Sequence, residues 1–203
     1  SLARRTPVVM LGRHDATRAY DTVTGDDELG ARLAMSHLLD LGHRKVAHLT
    51  RSETVTDPDV RGGHGIRLQG YVENMQRAGL TENIQIVRSG AGGEESYRSA
   101  MGLLRGSDRP TAVFAGNDEL ALGVLRAISE LGLSDEVSTV GYDDIDIASH
   151  PGISLTTVDQ DGLAMGRVAV EMLLERIDGR SEPRQFVTMP TLCVRRSTRP
   201  PID

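Results

Sequence analysis

The chain has 203 residues, with 23 Lys and Arg against 29 Asp and Glu and a formal net charge of −6, so it presents no global positive field to a phosphate backbone. Aromatic content is 3 % with no Trp, which leaves little material for stacking on bases or sugars, and the lone Cys193 rules out an internal disulfide framework. No stretch approaches the ~20 apolar residues of a membrane span and the N-terminus lacks the apolar core of a signal peptide, which points to a cytoplasmic protein without membrane partners.

Short β-rich apolar runs recur along the chain, each followed by a polar or glycine-bearing turn and then a segment of helical period, the pattern of βα units on a parallel sheet. The first run covers residues 7–11 and a second extended stretch covers 20–24. Asp26 and Asp27 then open a helix whose Leu29, Leu33, Leu38 and Leu41 share a face, and Gly42 stops it. A strand at 46–50 leads into a polar loop at 51–65 and a helix at 66–78. The cycle repeats with a strand at 84–88, the loop "SGAGGEES" and a helix at 94–104, then a strand at 112–115, a helix at 118–131 and a strand at 138–142. The ending departs from the cycle. "LTTV" at 155–158 is extended, 163–177 is a long helix, and "QFVTMPTLCVRR" reads as closing strand divided at Pro190. The chain therefore reads as one doubly wound α/β body of about five strands from residue 26 to 158, with further elements at both ends.

In an open parallel sheet a ligand binds beyond the carboxyl ends of the strands. The side chains there are Arg13 and His14, then Thr50 and Arg51, Ser89, Asn117 and Asp118, and finally Asp143 and Asp144. Asp118 immediately precedes "ELALGVLRAISELGL" and reads as the cap of that helix, where a carboxylate accepts backbone N–H bonds. With the cap assigned to Asp118, Asn117 stays open between a local turn and contact with a hydroxyl-rich ligand, since an amide both donates and accepts. Asp143, Asp144 and Asp146 read as a solvated turn, because the run lacks the glycine and closing glutamate of a calcium loop; no metal and no other cofactor is expected. "GGHGIRLQG" lacks a phosphate-binding spacing, and Arg67, read as opening its helix, opposes the helix dipole there.

"FAGNDELALGVLRAISELGL", "STVGYDDIDIASHPGISLTTVDQDGLAMGRVAVEMLLERIDG", "PVVMLGR", "DDELGARLAMSHLLDLGHRKVAHL", "RLQGYVENMQRAGL" and the terminal "VRRST" are spaced along the chain, and together they resemble the effector-binding core of the LacI/GalR family of bacterial transcription repressors. The resemblance covers essentially the whole chain. It implies a periplasmic-binding-protein-like fold in which residues 26–158 form the C-terminal effector-binding subdomain, with 191–203 as its closing strand and tail. Residues 1–25 are a remnant of the N-terminal subdomain, and 159–190 hold a crossover and a helix of that subdomain.

The family's DNA-binding headpiece and roughly its first three βα units lie outside this sequence. The implied function is repression controlled by a small metabolite, a sugar first, with operator DNA touched only through a helix-turn-helix absent from these residues and a homodimer as the working assembly. By motif position the effector contacts are Arg67 in "RLQG", Asn117 in "GND", Asp143 in "GYDD" and Gln160 in "TTVDQD". Two features depart from the family: Gly12 stands where an acid often follows the "PVV" strand, and "SGAGG" stands where an aromatic often occurs. The alternatives are a periplasmic sugar receptor of an uptake system and an α/β enzyme using Asp143, Asp144 and His150. No nucleophile motif, metal cluster or dinucleotide loop supports the enzyme.

Overall fold

A computed structural model of the chain describes residues 6–15, 20–51, 60–90 and 92–202. Its main body is a sheet of β4 (Val46–Arg51), β6 (Gln85–Ser89), β7 (Ala112–Ala115), β8 (Ser138–Tyr142), β9 (Thr156–Asp159) and β11 (Thr191–Cys193), in the order β11-β9-β8-β7-β4-β6. The pairs are parallel except that β11 runs antiparallel to β9. "VAHLT", "AVFA" and "STVGY" are buried at every position, as expected of strands covered on both faces.

Helices α1 (Asp27–Asp40) and α2 (Gly63–Arg77) cover one face with a core of Met35, Leu38, Tyr71, Met75, Phe114 and Tyr142. Helices α3 (Gly93–Arg105) and α4 (Asp118–Glu130) cover the other with Leu49, Leu104, Val113, Leu120, Val124 and Leu155. The expected doubly wound α/β fold is therefore present.

A second sheet has β3 (Asp21–Gly25) between β1 (Val9–Leu11) and β10 (Gln185–Thr188), all parallel. Helix α5 (Gly162–Ile177) lies on it and buries Met165, Ala169 and Met172 against Val23, with Val9 beside them. At the far end of β3 the fully buried Asp21 is neutralised by Arg180 at 2.5 Å and Arg176 at 3.4 Å, which fastens the end of α5 to the sheet.

The chain passes between the two sheets after β3, after β9 and after β10. These passes are tied to one another: the Asp26 amide donates to the Thr188 carbonyl at 3.0 Å, and the Thr188 hydroxyl donates to the Gln160 carbonyl at 2.7 Å.

Pro190 separates β10 from β11 as read from the sequence. The strand expected at 7–11 keeps only Val9–Leu11, and that expected at 155–158 runs one residue later. Most of the loop expected at 51–65 lies outside the described residues. Its end, however, is a strand, β5 (Val60–Gly62), which pairs antiparallel with β2 (Arg13–Asp15). Helix α2 begins at Gly63, so Arg67 stands in its second turn and does not oppose the dipole at the helix start.

Candidate functional site

The strand order places a topological switch between β4 and β7: from β4 the chain steps outward to β6, then returns past β4 to β7 and continues to β8 and β9. Thr50, Gly116 and Asp143 stand at the carboxyl ends of the central strands β4, β7 and β8, and the second turn of α2 lies across them. The Arg67 side chain there is buried, its Nη1 donating to the Gly116 carbonyl at 2.7 Å and its Nε to Asp27 Oδ1 at 2.6 Å. Its guanidinium also lies over the Tyr142 ring, 3.7 Å from the centroid. Tyr142 in turn is seated against Gly30 of α1, where a Cβ would come within 2.0 Å of the phenol oxygen.

Asp143 Oδ1 is 3.7 Å from Arg67 Nη1 and accepts a hydrogen bond of 2.6 Å from Gln160 Nε2. The structure thus joins three of the sequence-assigned residues, Arg67, Asp143 and Gln160, into one chain that ends at the pass between the sheets. Asp143 has φ 112°, a conformation a non-glycine residue rarely adopts, so the surrounding bonds hold it against a local cost. Burial pushes its carboxyl above the ordinary range while the charge of Arg67 opposes the shift.

The adjacent acids go elsewhere. Asp144 pairs with Arg195 at 2.7 Å, and Asp146 is exposed at the start of a 3-10 turn, so the apparent cluster is three residues with separate surroundings. Among the described residues no group of three or more His, Cys, Asp or Glu is placed to hold a metal ion.

The cap of α4 corrects the sequence reading. Asn117, with extended backbone, is the N-cap, and its Oδ1 accepts from the Leu120 amide at 3.0 Å. Asp118 is the first helical residue and points into the protein, where it accepts from the Thr157 hydroxyl at 2.6 Å and the Ile145 amide at 3.0 Å. Its carboxylate is drawn inward because β9 and the turn after β8 offer donors that would otherwise go unpaired. Burial is also the main reason that its pKa is raised to about 6. Asn117 stands at the carboxyl end of β7 with its Nδ2 outside the cap bond, so capping does not use up the amide's donors.

Three participants are invisible to motif reading. Asp27 reads as the second of two acids that open a helix, yet only Asp26 caps it, accepting from the Leu29 amide. Asp27 is buried, with Oδ1 taken by Arg67 and Oδ2 at 2.7 Å from His14 Nε2. Burial would raise its carboxyl, but the hydrogen bond with His14 and the charge of Arg67 outweigh that and hold it below the ordinary range. His64 lies 3.4 Å from the Thr50 hydroxyl, and only a glycine at 116 leaves room for its ring. Burial, reinforced by the neighbouring charge of Arg67, lowers the His64 pKa to about 4, so it is a neutral group at pH 7. Tyr142 is the platform beneath Arg67. The available signal for these residues was position alone: each lies at a strand end or in the first turns of the following helix.

A sheet of this order with polar groups gathered at its switch point is a doubly wound ligand-binding architecture, and the family model of a periplasmic binding protein-like domain matches residues 35–198. The chain belongs to the LacI/GalR family, as part of its effector-binding core. It is 32 % identical over 205 residues to the HTH-type transcriptional repressor PurR of Photobacterium profundum, across 98 % of this chain and 59 % of PurR. Among solved structures, a LacI transcriptional regulator from a Rhodococcus species is 34 % identical with a TM-score of 0.88, over 98 % of this chain and 72 % of that one. A LacI family transcriptional regulator from Enterococcus faecalis V583, with bound ribose, is 27 % identical with a TM-score of 0.85, over 98 % of this chain and 71 % of the other. The chain thus spans about three fifths of the length of the curated relatives it matches.

Proposed function

We propose that this chain is the effector-sensing core of a cytoplasmic bacterial transcriptional repressor, not an enzyme, and that a small metabolite, a sugar first, binds between its two sheets. Residues 26–158 and 191–203 are read as the C-terminal subdomain, and residues 1–25 and 159–190 as parts of the N-terminal one. Arg67, Asn117, Asp143 and Gln160 are read as the groups that contact the effector. The observation that carries this reading is the Arg67–Asp143–Gln160 chain: it connects the switch point of the larger sheet to the pass that leads into α5. A ligand that hydrogen-bonds to these groups would bias the relative orientation of the two sheets, and through it a DNA-binding segment outside these residues, in a homodimer. The ribose in the Enterococcus relative supports a sugar as the first ligand to try.

Isothermal titration calorimetry of the protein with a panel of pentoses, hexoses and disaccharides tests the reading. A sugar that binds should lose at least about tenfold in affinity in both Arg67→Ala and Asn117→Ala, since each substitution leaves ligand groups unpaired at about 1–3 kcal/mol. Unchanged affinity in both variants would sink the site assignment.

A further inference from the structure

An arginine at a binding site ordinarily advertises for an anion, because a guanidinium matches phosphate and carboxylate geometry. Arg67 is differently placed. Two of its three nitrogens already hold protein oxygens, Nε that of Asp27 and Nη1 that of Gly116, and its face is covered by the Tyr142 ring. Asp27 is a buried carboxylate whose two oxygens are engaged by Arg67 and His14, so its charge is fixed beside the guanidinium. Beyond Arg67 stands the second carboxylate, Asp143, at 3.7 Å. The neighbouring His64 adds no positive charge at neutral pH, and Arg51, the other cation near these groups, is paired with Glu119 at 3.0 Å. A phosphate arriving at Arg67 would therefore meet a cation already neutralised by one acid and flanked by another, with the Arg67–Asp27 pair itself buried away from the solvent that would screen the repulsion.

We infer that Asp27 is a positioning and charge-compensating residue that sets the charge of the ligand: through Arg67 it admits an uncharged, hydroxyl-rich molecule and rejects one bearing phosphate or carboxylate. This rests on the ligand-sensing reading above and deepens it. Held by Asp27, Arg67 serves as a hydrogen-bond donor of fixed direction, while Asp143 accepts from ligand hydroxyls. His14, from β2, holds the other oxygen of Asp27, so the β2–β5 ribbon steadies the carboxylate that α1 supplies.

Two measurements on the whole chain test the inference. In the first, calorimetry compares D-ribose, D-glucose and D-galactose with ribose 5-phosphate, glucose 6-phosphate and galactose 6-phosphate. The wild type should prefer each neutral sugar that binds over its phosphate by at least about tenfold, and Asp27→Asn should narrow that ratio by about tenfold. An Asp27 of purely structural importance would weaken both members of a pair alike and leave the ratio unchanged. In the second, thermal stability is followed with inorganic phosphate. The wild type should show no gain beyond that of an equal ionic strength of chloride, whereas Asp27→Asn should show a specific gain that Arg67→Met removes.

A phosphosugar bound more tightly than its neutral twin by the wild type overturns the inference while leaving the sensing role intact. If none of the sugars binds, the sugar reading falls and the phosphate titration still decides the role of Asp27. Should Asp27→Asn not fold, a phosphate-specific stabilisation of the wild type that Arg67→Met abolishes is the overturning result, and its absence supports the inference.

Discussion

Asp118 is fully buried, accepts two hydrogen bonds and has no salt-bridge partner among the described residues. Its folded pKa, about 6, lies above the ordinary carboxyl value, so the folded state binds a proton more readily than the unfolded one. The stability this group contributes is present in full below about pH 4 and is lost as pH rises through 6. Asp118→Asn should remove that pH-dependent component and leave neutral-pH stability within about 1 kcal/mol of wild type. The amide oxygen can accept from Ile145 while Thr157 turns its hydroxyl to accept from the amide nitrogen. Asp118→Ala strands the Ile145 amide and should cost about 1–3 kcal/mol in urea denaturation; equal stability of the two variants at pH 7 would overturn this account. Asn117→Ala should cost about 1 kcal/mol through the lost cap, independently of any ligand. The exchange of roles between these neighbours shows how far the site was legible. Residue types and their places at the strand ends were readable, and with the family resemblance they led to Arg67, Asn117, Asp143 and Gln160. Which of two adjacent polar residues caps and which turns inward depends on donors from Ile145 and Thr157, 27 and 39 positions away, that no local pattern contains.

At the level of elements, the alternation of strands and helices around β4, β7, β8 and β9 was legible because both faces of those strands are covered. Continuous apolar runs and glycine stops then follow directly. The β2–β5 ribbon was not: "RHD" and "VRG" carry no period, and backbone bonds between segments far apart in sequence make them strands. The second sheet has its own consequence. Among the described residues β1 pairs only with β3, which leaves its outer edge without a strand. On α5, Leu163, Val170, Leu174 and Ile177 recur at helical spacing and are 92, 57, 55 and 61 % exposed. An unpaired strand edge beside an exposed apolar row favours association of the 203-residue chain with itself. Sedimentation velocity over a hundredfold range of concentration should show growth in average mass, and Val170→Glu with Leu174→Glu should reduce it. A monodisperse monomer at all concentrations would refute the prediction.

For the molecule as a whole, acid should be more damaging than the formal charge of −6 suggests, because buried histidines outnumber the raised carboxyls of Asp118 and Asp143 in the balance. Burial lowers the pKa of His43, which is hydrogen-bonded to Thr111 and to the Arg199 carbonyl and so fastens the C-terminal tail beneath the larger sheet. Burial also lowers His48 to about 3, in the core between Tyr71 and Phe114, and His64 to about 4. Each is neutral when folded and takes a proton on unfolding, so its contribution is complete above pH 6.5 and is lost as pH falls toward the folded value. Asp118 works in the opposite direction between about pH 4 and 6, and the raised carboxyl of Asp143 works with it, but as two groups against three. Unfolding free energy should therefore fall between pH 7 and pH 4.5, with His48 and His64 each contributing a slope that approaches about 1.4 kcal/mol per pH unit below 6.5 and above their folded values. His48→Leu isolates one of them, since the ring makes a single hydrogen bond, to the Phe114 carbonyl, and otherwise packs as an apolar group. Urea midpoints at pH 7.5, 6.0 and 5.0 should converge for wild type and variant, or cross, as pH falls, because the variant has no proton to gain at that position. Parallel lines for the two proteins would mean that His48 does not set the acid response of this fold.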